Sequence, residues 1–220
     1  MSEQRLSVTT PVKAPNARRP AFALWVWAAL ACGLVAAFEV DRPVMAALQP
    51  LYGSELTRLI RQTIRWLGIG YVQALVLIIM IAAGTWRWPR VKNAGGWGLL
   101  AFAISGAAVD LLKVIVHRPR PYVTDTHPDS WLAYAGAHNF QSFPSGESAT
   151  TFAIALTLSF WFPRLRVPLI AVAVIVAAAR VVVGGHFPSD VWAGAMLGMA
   201  TAQWVKRTAD ARRRGSVAAA

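Results

Sequence analysis

The sequence predicts an all-α membrane protein in which several helices cross the bilayer. Hydrophobic residues make up 56% of the 220 residues, and charged residues make up only 15%, whereas an average soluble domain has roughly 25% charged residues. The apolar residues also form long blocks instead of short periodic stripes, which is typical of transmembrane helices. Both observations indicate a polytopic helix bundle.

Six apolar blocks define the predicted bundle, because a helix needs about 20 residues to cross the bilayer core. The blocks cover residues 21–40, 66–86, 94–112, 148–162, 168–183 and 190–205. The last three are short, at about 15 to 17 residues, a length that suits helices starting in a protein-lined site. We therefore expect one six-transmembrane-helix domain, 21–205, between basic cytoplasmic tails at 1–20 and 206–220.

The first predicted loop, 41–65, contains a further helical pattern. Ser54 has the chemistry of an N-cap, and the apolar residues after it share one face at helical spacing. Three arginines lie away from that face: Arg58, Arg61 and Arg65. We expect an interfacial helix whose arginines lie among lipid headgroups rather than in a substrate site.

The basic residues predict the orientation of the bundle. With six spans, 14 Lys and Arg fall on the side that carries both termini, and eight fall on the opposite side. The positive-inside rule then places both termini in the cytoplasm. The formal charge of +12 therefore reflects membrane topology, and no nucleic-acid partner is expected.

Three polar clusters stand out in the second half of the chain, and the predicted topology puts all of them on the outer face. Their polar residues are Lys113 and Arg120, then Ser145, Gly146 and Glu147, and then Arg180, His186 and Asp190. Separated cations and hydrogen-bonding groups that converge suit an anion with several oxygens. Phosphate is the obvious candidate for such an anion.

Each cluster also has an ordinary structural explanation when it is taken alone. Lys113 is a typical cation at a membrane boundary, and Asp110 one turn earlier suits a structural partner for it. The pair of His186 and Asp190, four residues apart, suits a hydrogen bond at the start of a helix. The same pair can hold one imidazole nitrogen protonated and leave the other free. The occurrence of the three clusters in order on one face favours a shared site.

Together the clusters resemble the signatures of the type 2 phosphatidic acid phosphatase family, which shares its core with vanadium haloperoxidases. The family signatures are Lys, six residues, Arg-Pro; then Pro-Ser-Gly-His; then Arg, five residues, His, three residues, Asp. The matching residues here are Lys113 with Arg120-Pro121, Pro144-Ser145-Gly146, and Arg180 with His186 and Asp190. The resemblance implies an enzyme, a membrane lipid phosphate phosphatase that uses no metal and no cofactor.

The resemblance also implies the role of each residue. His186 would be the nucleophile that forms a phosphohistidine, and Asp190 would orient and polarise it. The phosphate oxygens would be bound by the remaining motif residues, which are Lys113, Arg120, Arg180, the Ser145 hydroxyl and the Gly146 backbone N–H.

Glu147 departs from the family pattern, because it stands where the family has the histidine that protonates the leaving group. A glutamate acts as a general acid only when its pKa is raised well above about 4.3. Three interpretations stay open: a native variant that works as the acid, an inactivating change, and a structural ion-pair partner of Arg120 or Arg180. His127 and His138 are weaker candidates for the proton donor.

The implied reaction is hydrolysis of a lipid phosphate or diphosphate that enters from the outer leaflet of the bilayer. Undecaprenyl diphosphate, phosphatidic acid, phosphatidylglycerol phosphate and a lipid A phosphate are the candidate substrates. One alternative is a phosphotransferase that passes the phosphate to another lipid. A second alternative, suggested by Glu147, is a catalytically impaired protein that only binds anionic lipids. The sequence does not indicate the oligomeric state.

Overall fold

A computed structural model describes residues 22–124 and 138–218, which form helices joined by short turns. The helices are α1 (Phe22–Leu48), α2 (Glu55–Thr63), α3 (Arg65–Gly68), α4 (Gly70–Trp86), α5 (Pro89–Val116), α6 (Pro121–Thr124), α7 (Gly146–Trp161), α8 (Arg166–Val182) and α9 (Pro188–Ala218). Short 3₁₀ helices lie at Gln49–Leu51, His138–Phe140 and Pro163–Leu165. The prediction of an all-α fold is confirmed.

Several of these helices suit a bilayer. In the part of the chain that the structure describes, three helical segments are long and apolar enough to cross a membrane: Leu24–Leu51, Pro89–Val123 and Pro163–Val182. Gly70–Trp86 is a shorter apolar helix. The membrane class of the fold is thus confirmed, while the count of six spans stays a prediction.

Helix α7 lies at the centre of the bundle, in contact with α5, α8 and α9. Small residues let α7 and α9 approach closely. A Cβ atom on Gly198 would lie 2.4 Å from the Ala149 carbonyl oxygen, and one on Gly194 would lie 2.5 Å from the Ser145 carbonyl oxygen. Lipid tails are as apolar as leucine, so close packing of small residues is a main source of helix association in membranes. This packing places the first turns of α7 and α9 side by side.

Helix α1 is longer than the sequence predicts. The predicted span ends at residue 40, whereas α1 continues through Asp41 and Pro43 to Leu48. The charge of Asp41 suggests a loop, but its carboxylate is buried and is paired with Arg118 of another segment. A tertiary ion pair therefore keeps a charged residue inside the helix.

Helix α9 also exceeds its predicted end at residue 205. It runs to Ala218 and includes most of the segment predicted as a basic tail. Some cations of this segment have partners within the fold: Lys206 lies 2.6 Å from Asp210 one turn later, and the Arg213 guanidinium lies 4.2 Å from the centre of the Trp161 ring. Both contacts are of a kind that stabilises helical structure.

The helix predicted after Ser54 is present as α2, with Ser54 as its N-cap accepting a hydrogen bond from the Thr57 N–H at 3.4 Å. Its position at the membrane interface stays a prediction. Leu56 and Leu59 are 50% and 57% exposed. The expected position of Arg61 is wrong. Its guanidinium turns inward and donates to the Val183 carbonyl oxygen at 3.1 Å, because this oxygen lies beyond the end of α8 and is open to a donor.

Alanine at position 198 should weaken the contact between α7 and α9. The new methyl group meets backbone atoms of α7, so the two helices must separate, and we expect a loss of about 1–3 kcal/mol. Gly96→Ala is the matched control, because its Cβ atom would have no neighbour within 4 Å. We expect a lower thermal unfolding midpoint in detergent for Gly198→Ala only. Equal midpoints for the two variants would contradict the close packing.

Candidate active site

One cavity of about 820 Å³ brings the three sequence clusters together. Its wall includes Lys113 from α5, Arg120 from the following turn, Gly146 and Glu147 from α7, Arg180 from α8, and His186. These residues come from segments up to 73 positions apart in the chain. The structure therefore places in one site the cations, the helix start and the imidazole that the sequence analysis selected.

The turn between α8 and α9 positions Arg180 and His186. Gly184 has a φ of +70°, a conformation that glycine adopts without strain. The N–H groups of Gly185 and His186 both donate to the Arg180 carbonyl oxygen, at 3.0 and 3.2 Å. A Cβ atom on Gly185 would lie 2.9 Å from Arg180 Nη2. The absence of a side chain at Gly185 thus lets the guanidinium lie against the turn that carries His186.

His186 is held as a neutral imidazole with one nitrogen available to a ligand. The ring is buried, and its Nδ1 lies 2.8 Å from the carbonyl oxygen of Ser142. A carbonyl oxygen only accepts, so Nδ1 carries the proton and Nε2 has the free lone pair. No described residue hydrogen-bonds Nε2. Burial lowers the pKa of His186 to about 4, with Arg120 and Arg180 adding to the effect and Asp190 opposing it.

Asp190 acts on His186 through an intermediary. Its Oδ2 lies 3.7 Å from His186 Nδ1, too far for a hydrogen bond. The same oxygen accepts from the Ser142 hydroxyl at 2.5 Å and from the Phe187 N–H at 2.8 Å. Asp190 therefore fixes the residue whose carbonyl oxygen holds the imidazole. The sequence analysis missed Ser142, because its part in the site depends on a turn that no spacing rule reveals.

Arg118 joins the site to α1. Its guanidinium lies 2.6 Å from Asp190 Oδ1 and 2.6 Å from Asp41 Oδ2, and it lies 4.2 Å from the centre of the Phe187 ring. Asp41 also accepts from the Ser189 N–H at 2.9 Å and from its hydroxyl at 2.5 Å. The sequence analysis missed both Arg118 and Asp41. A carboxylate next to a long apolar block was the available signal, since such residues are often functional.

Several groups predicted to bind phosphate have open hydrogen-bonding capacity. The Ser145 hydroxyl and the Arg180 Nε are buried, and neither has a hydrogen-bond partner among the described residues. Gly146 begins α7, so its N–H is one of the free donors of a helix N-terminus. A Cβ atom on Gly146 would lie 3.6 Å from Lys113 Nζ. An anion with several oxygens would satisfy these groups together.

Glu147 lies between Arg180 of α8 and Gly68 of α3. Its Oε1 is 3.5 Å from Arg180 Nη1, so one of the ion pairs left open by the sequence is present. Its Oε2 is buried without a hydrogen-bond partner in the described part of the chain. It packs against Gly68, where a Cβ atom would lie 2.5 Å from Oε2. The other proposed proton donors cannot be placed, since His127 and the side chain of His138 lie outside the described residues.

The protonation state of His186 provides a direct test of this geometry. The His186 ¹³C resonance is assigned as the histidine signal that is absent from the spectrum of His186→Asn. We expect this resonance to titrate near pH 4, whereas an unperturbed histidine titrates near pH 6.5. The lowered pKa means that the ring stays neutral from pH 8 down to about pH 5. The measurement is an NMR titration of labelled histidines in detergent, with the unfolded protein as control. A midpoint between 6 and 7 would contradict the buried, neutral imidazole.

Comparisons with known proteins show the family of this chain. The sequence profile of the PAP2 superfamily matches residues 94–214. Lipid A 1-phosphatase of Rhizobium etli is 39% identical over 173 residues, which cover 72% of each chain. Lipid A 1-phosphatase of Rhizobium johnstonii is 39% identical over 109 residues, which cover 49% of this chain and only 45% of that protein.

A solved structure shows the same architecture. The crystal structure of a transmembrane PAP2 type phosphatidylglycerolphosphate phosphatase from Bacillus subtilis superposes with a TM-score of 0.62 at 26% identity, covering 86% of this chain and 95% of that one. The family resemblance predicted from the three motifs is confirmed, and this chain belongs to the PAP2 superfamily.

Proposed function

We propose that this protein is an integral membrane phosphatase that hydrolyses a lipid phosphate or diphosphate through a phosphohistidine at His186. The state of His186 carries the proposal. A neutral imidazole presents a free Nε2 to a cavity that is also lined by Lys113, Arg120 and Arg180. This combination suits attack on phosphorus with the developing negative charge already neutralised. The naming of two relatives as lipid phosphatases supports the same reaction.

The reaction has two steps. The Nε2 lone pair attacks phosphorus, the bond from phosphorus to the lipid oxygen breaks, and the leaving oxygen takes up a proton. Water then attacks the phosphohistidine and releases a proton, which balances the one taken up by the leaving lipid oxygen. The bond from phosphorus to Nε2 breaks, and inorganic phosphate leaves with the lone pair restored to His186. Nδ1–H stays hydrogen-bonded to the Ser142 carbonyl oxygen throughout, and the nearby Asp190 carboxylate stabilises the positive ring of the intermediate.

A phosphorylated glycolipid of the lipid A type is the first substrate to test. The relatives matched over 109 and 173 residues are lipid A 1-phosphatases. A cavity of about 820 Å³ also holds more than one phosphate group, since pockets of roughly 300–1,000 Å³ enclose whole drug-sized ligands. Phosphatidic acid, phosphatidylglycerol phosphate and undecaprenyl diphosphate complete the panel.

The proposed setting is the cell inner membrane, with both termini in the cytoplasm and the cavity on the outer face. The 14-to-8 distribution of Lys and Arg between the two sides supports this orientation. Because the distribution was counted for six spans, six spans remain the proposed topology. Substrate then reaches the cavity laterally from the outer leaflet.

One observation favours a second candidate, a protein that binds anionic lipids without turnover. Glu147 Oε1 lies 3.5 Å from Arg180 Nη1 and forms an ion pair with it, and Arg180 is one of the proposed phosphate ligands. In this alternative the carboxylate competes with the phosphate and supplies no proton. Phosphate release by the purified protein separates the two candidates, because the second predicts binding of lipid phosphates with no product.

Replacing His186 with alanine should abolish phosphate release, because the nucleophile has no substitute. Asp190→Asn should keep a measurable rate, lowered roughly 10²–10⁴-fold, since the carboxylate acts by orientation and charge. The measurement is phosphate release from the lipid panel by detergent-purified protein, with the thermal midpoint as a folding control. Full activity in a folded His186→Ala variant would exclude the phosphohistidine.

Glu147 should make diphosphates better substrates than monoesters. A lipid alkoxide needs a proton to leave, whereas a lipid phosphate, with a second pKa near about 6, departs with little help. We expect Glu147→His to raise the rate on phosphatidic acid far more than on undecaprenyl diphosphate, and Glu147→Gln to spare the diphosphate. Equal wild-type rates on both, with Glu147→Gln inactive on both, would instead identify Glu147 as the working acid.

A further inference from the structure

The α2–α3 wall of the cavity carries two arginines that the proposed chemistry does not use. Arg61 and Arg65 both line the 820 Å³ cavity together with Lys113, Arg180 and His186. They are four residues apart, so they lie one helical turn from each other. They face the catalytic cations from a separate segment of the chain.

Both arginines have donors to spare. Arg61 uses one N–H on the Val183 carbonyl oxygen, which holds its guanidinium at the cavity. A guanidinium has five N–H donors, so most of those of Arg61 stay available. The Arg65 backbone carbonyl accepts from the Ile69 N–H, but its guanidinium forms no hydrogen bond or ion pair with the residues that the structure describes. Neither arginine has a carboxylate partner there, in contrast to Arg58 of the same helix, which pairs with Glu55.

The charge of the cavity exceeds what one phosphate neutralises. Among the described residues, five cations and two carboxylates line it, a net charge of +3 with His186 neutral: Arg61, Arg65, Lys113, Arg120 and Arg180 against Asp110 and Glu147. A phosphomonoester contributes about −1.5 to −2. At least one positive charge is then left over, and Arg61 and Arg65 are two cations of the cavity that have no carboxylate partner among the described residues.

The position of α2 also places these arginines where a lipid head would lie. Leu56 and Leu59 are exposed on the face of α2 away from Arg61, as expected for a helix at the membrane interface. A lipid that binds with its phosphate at His186 therefore has the rest of its head close to α2. Arginine suits this position because its planar fork binds phosphate and carboxylate groups bidentately.

We propose that Arg61 and Arg65 form a second anion-binding subsite, which takes a second negative group on the head of the substrate lipid. The preferred substrates are then lipid phosphates whose heads carry two negative groups. This inference rests on the proposed function and adds the substrate class. The second group is either the adjacent phosphate of a diphosphate or a separate phosphate elsewhere on the head.

Three lipids with the same acyl chains test the subsite: phosphatidic acid, diacylglycerol pyrophosphate and phosphatidylglycerol phosphate. The first carries one anionic group, the second two adjacent ones and the third two separated ones. Wild-type kcat/KM should be higher for at least one of the two-group lipids. In Arg61→Gln/Arg65→Gln, that preference should fall roughly 10- to 100-fold, the value of a charge-assisted hydrogen bond. A fall in the preference for diacylglycerol pyrophosphate identifies the second group as the adjacent phosphate. A fall in the preference for phosphatidylglycerol phosphate identifies it as a separate phosphate.

Arg58→Gln is the matched control, since it removes a cation from α2 outside the cavity, and it should keep the wild-type preference. If the double variant folds poorly, Arg65→Gln alone replaces it in the test, because this variant keeps the bond between Arg61 and Val183. Arg65→Gln should lose part of the preference for two-group lipids. Equal losses on all three lipids, or an unchanged preference, would overturn the subsite and leave the phosphatase intact.

A binding assay separates this proposal from the proposed function. If the wild-type protein hydrolyses none of the lipids, the phosphatase is excluded, and the affinity of the same lipids in mixed micelles still reports the subsite. Tighter binding of a two-group lipid that is lost in Arg61→Gln/Arg65→Gln supports it. Equal affinity of all three lipids for the wild-type protein overturns it.

Discussion

The ion pairs of Arg118 hold the site together. One guanidinium lies 2.6 Å from each of two buried carboxylates, Asp41 of α1 and Asp190 of α9. Removing one partner of a buried pair typically costs about 3–5 kcal/mol, because the other charge is left without a partner. Here a single side chain serves two carboxylates, so its loss would leave both unpaired. Arg118 therefore ties the first helix, the turn after α5 and the start of α9 to one another.

The His186 imidazole is connected to the same network through Ser142. Asp190 accepts from the Ser142 hydroxyl, and the Ser142 carbonyl oxygen accepts from His186 Nδ1. These hydrogen bonds fix the tautomer that leaves Nε2 free, and burial among cations keeps the imidazole ring neutral. The Ser145 hydroxyl and Arg180 Nε are also buried without partners among the described residues. A site with donors held in place before the ligand arrives needs little rearrangement when charge develops in the transition state.

Sequence reasoning found residues that line the cavity, because their identity and spacing are local properties. Lys113, Arg120, Gly146, Arg180 and His186 follow from three motifs that the fold brings to one cavity. It missed residues whose role depends on distant partners. Asp41 has the charge of a loop residue until Arg118 pairs with it. The inward position of Arg61 depends on Val183, 122 residues away. The last turns of α9 form where Arg213 meets Trp161, a contact that no periodicity reveals.

The stereochemical course at phosphorus tests the central claim most directly. The substrate is a lipid thiophosphate that is made chiral at phosphorus by one sulfur atom and two different oxygen isotopes. Its hydrolysis in water that carries a third oxygen isotope reports the number of displacements at phosphorus. Attack by His186 followed by attack by water inverts the centre twice, so the account predicts net retention of configuration. Inversion would show a single direct attack by water and would contradict the covalent phosphohistidine.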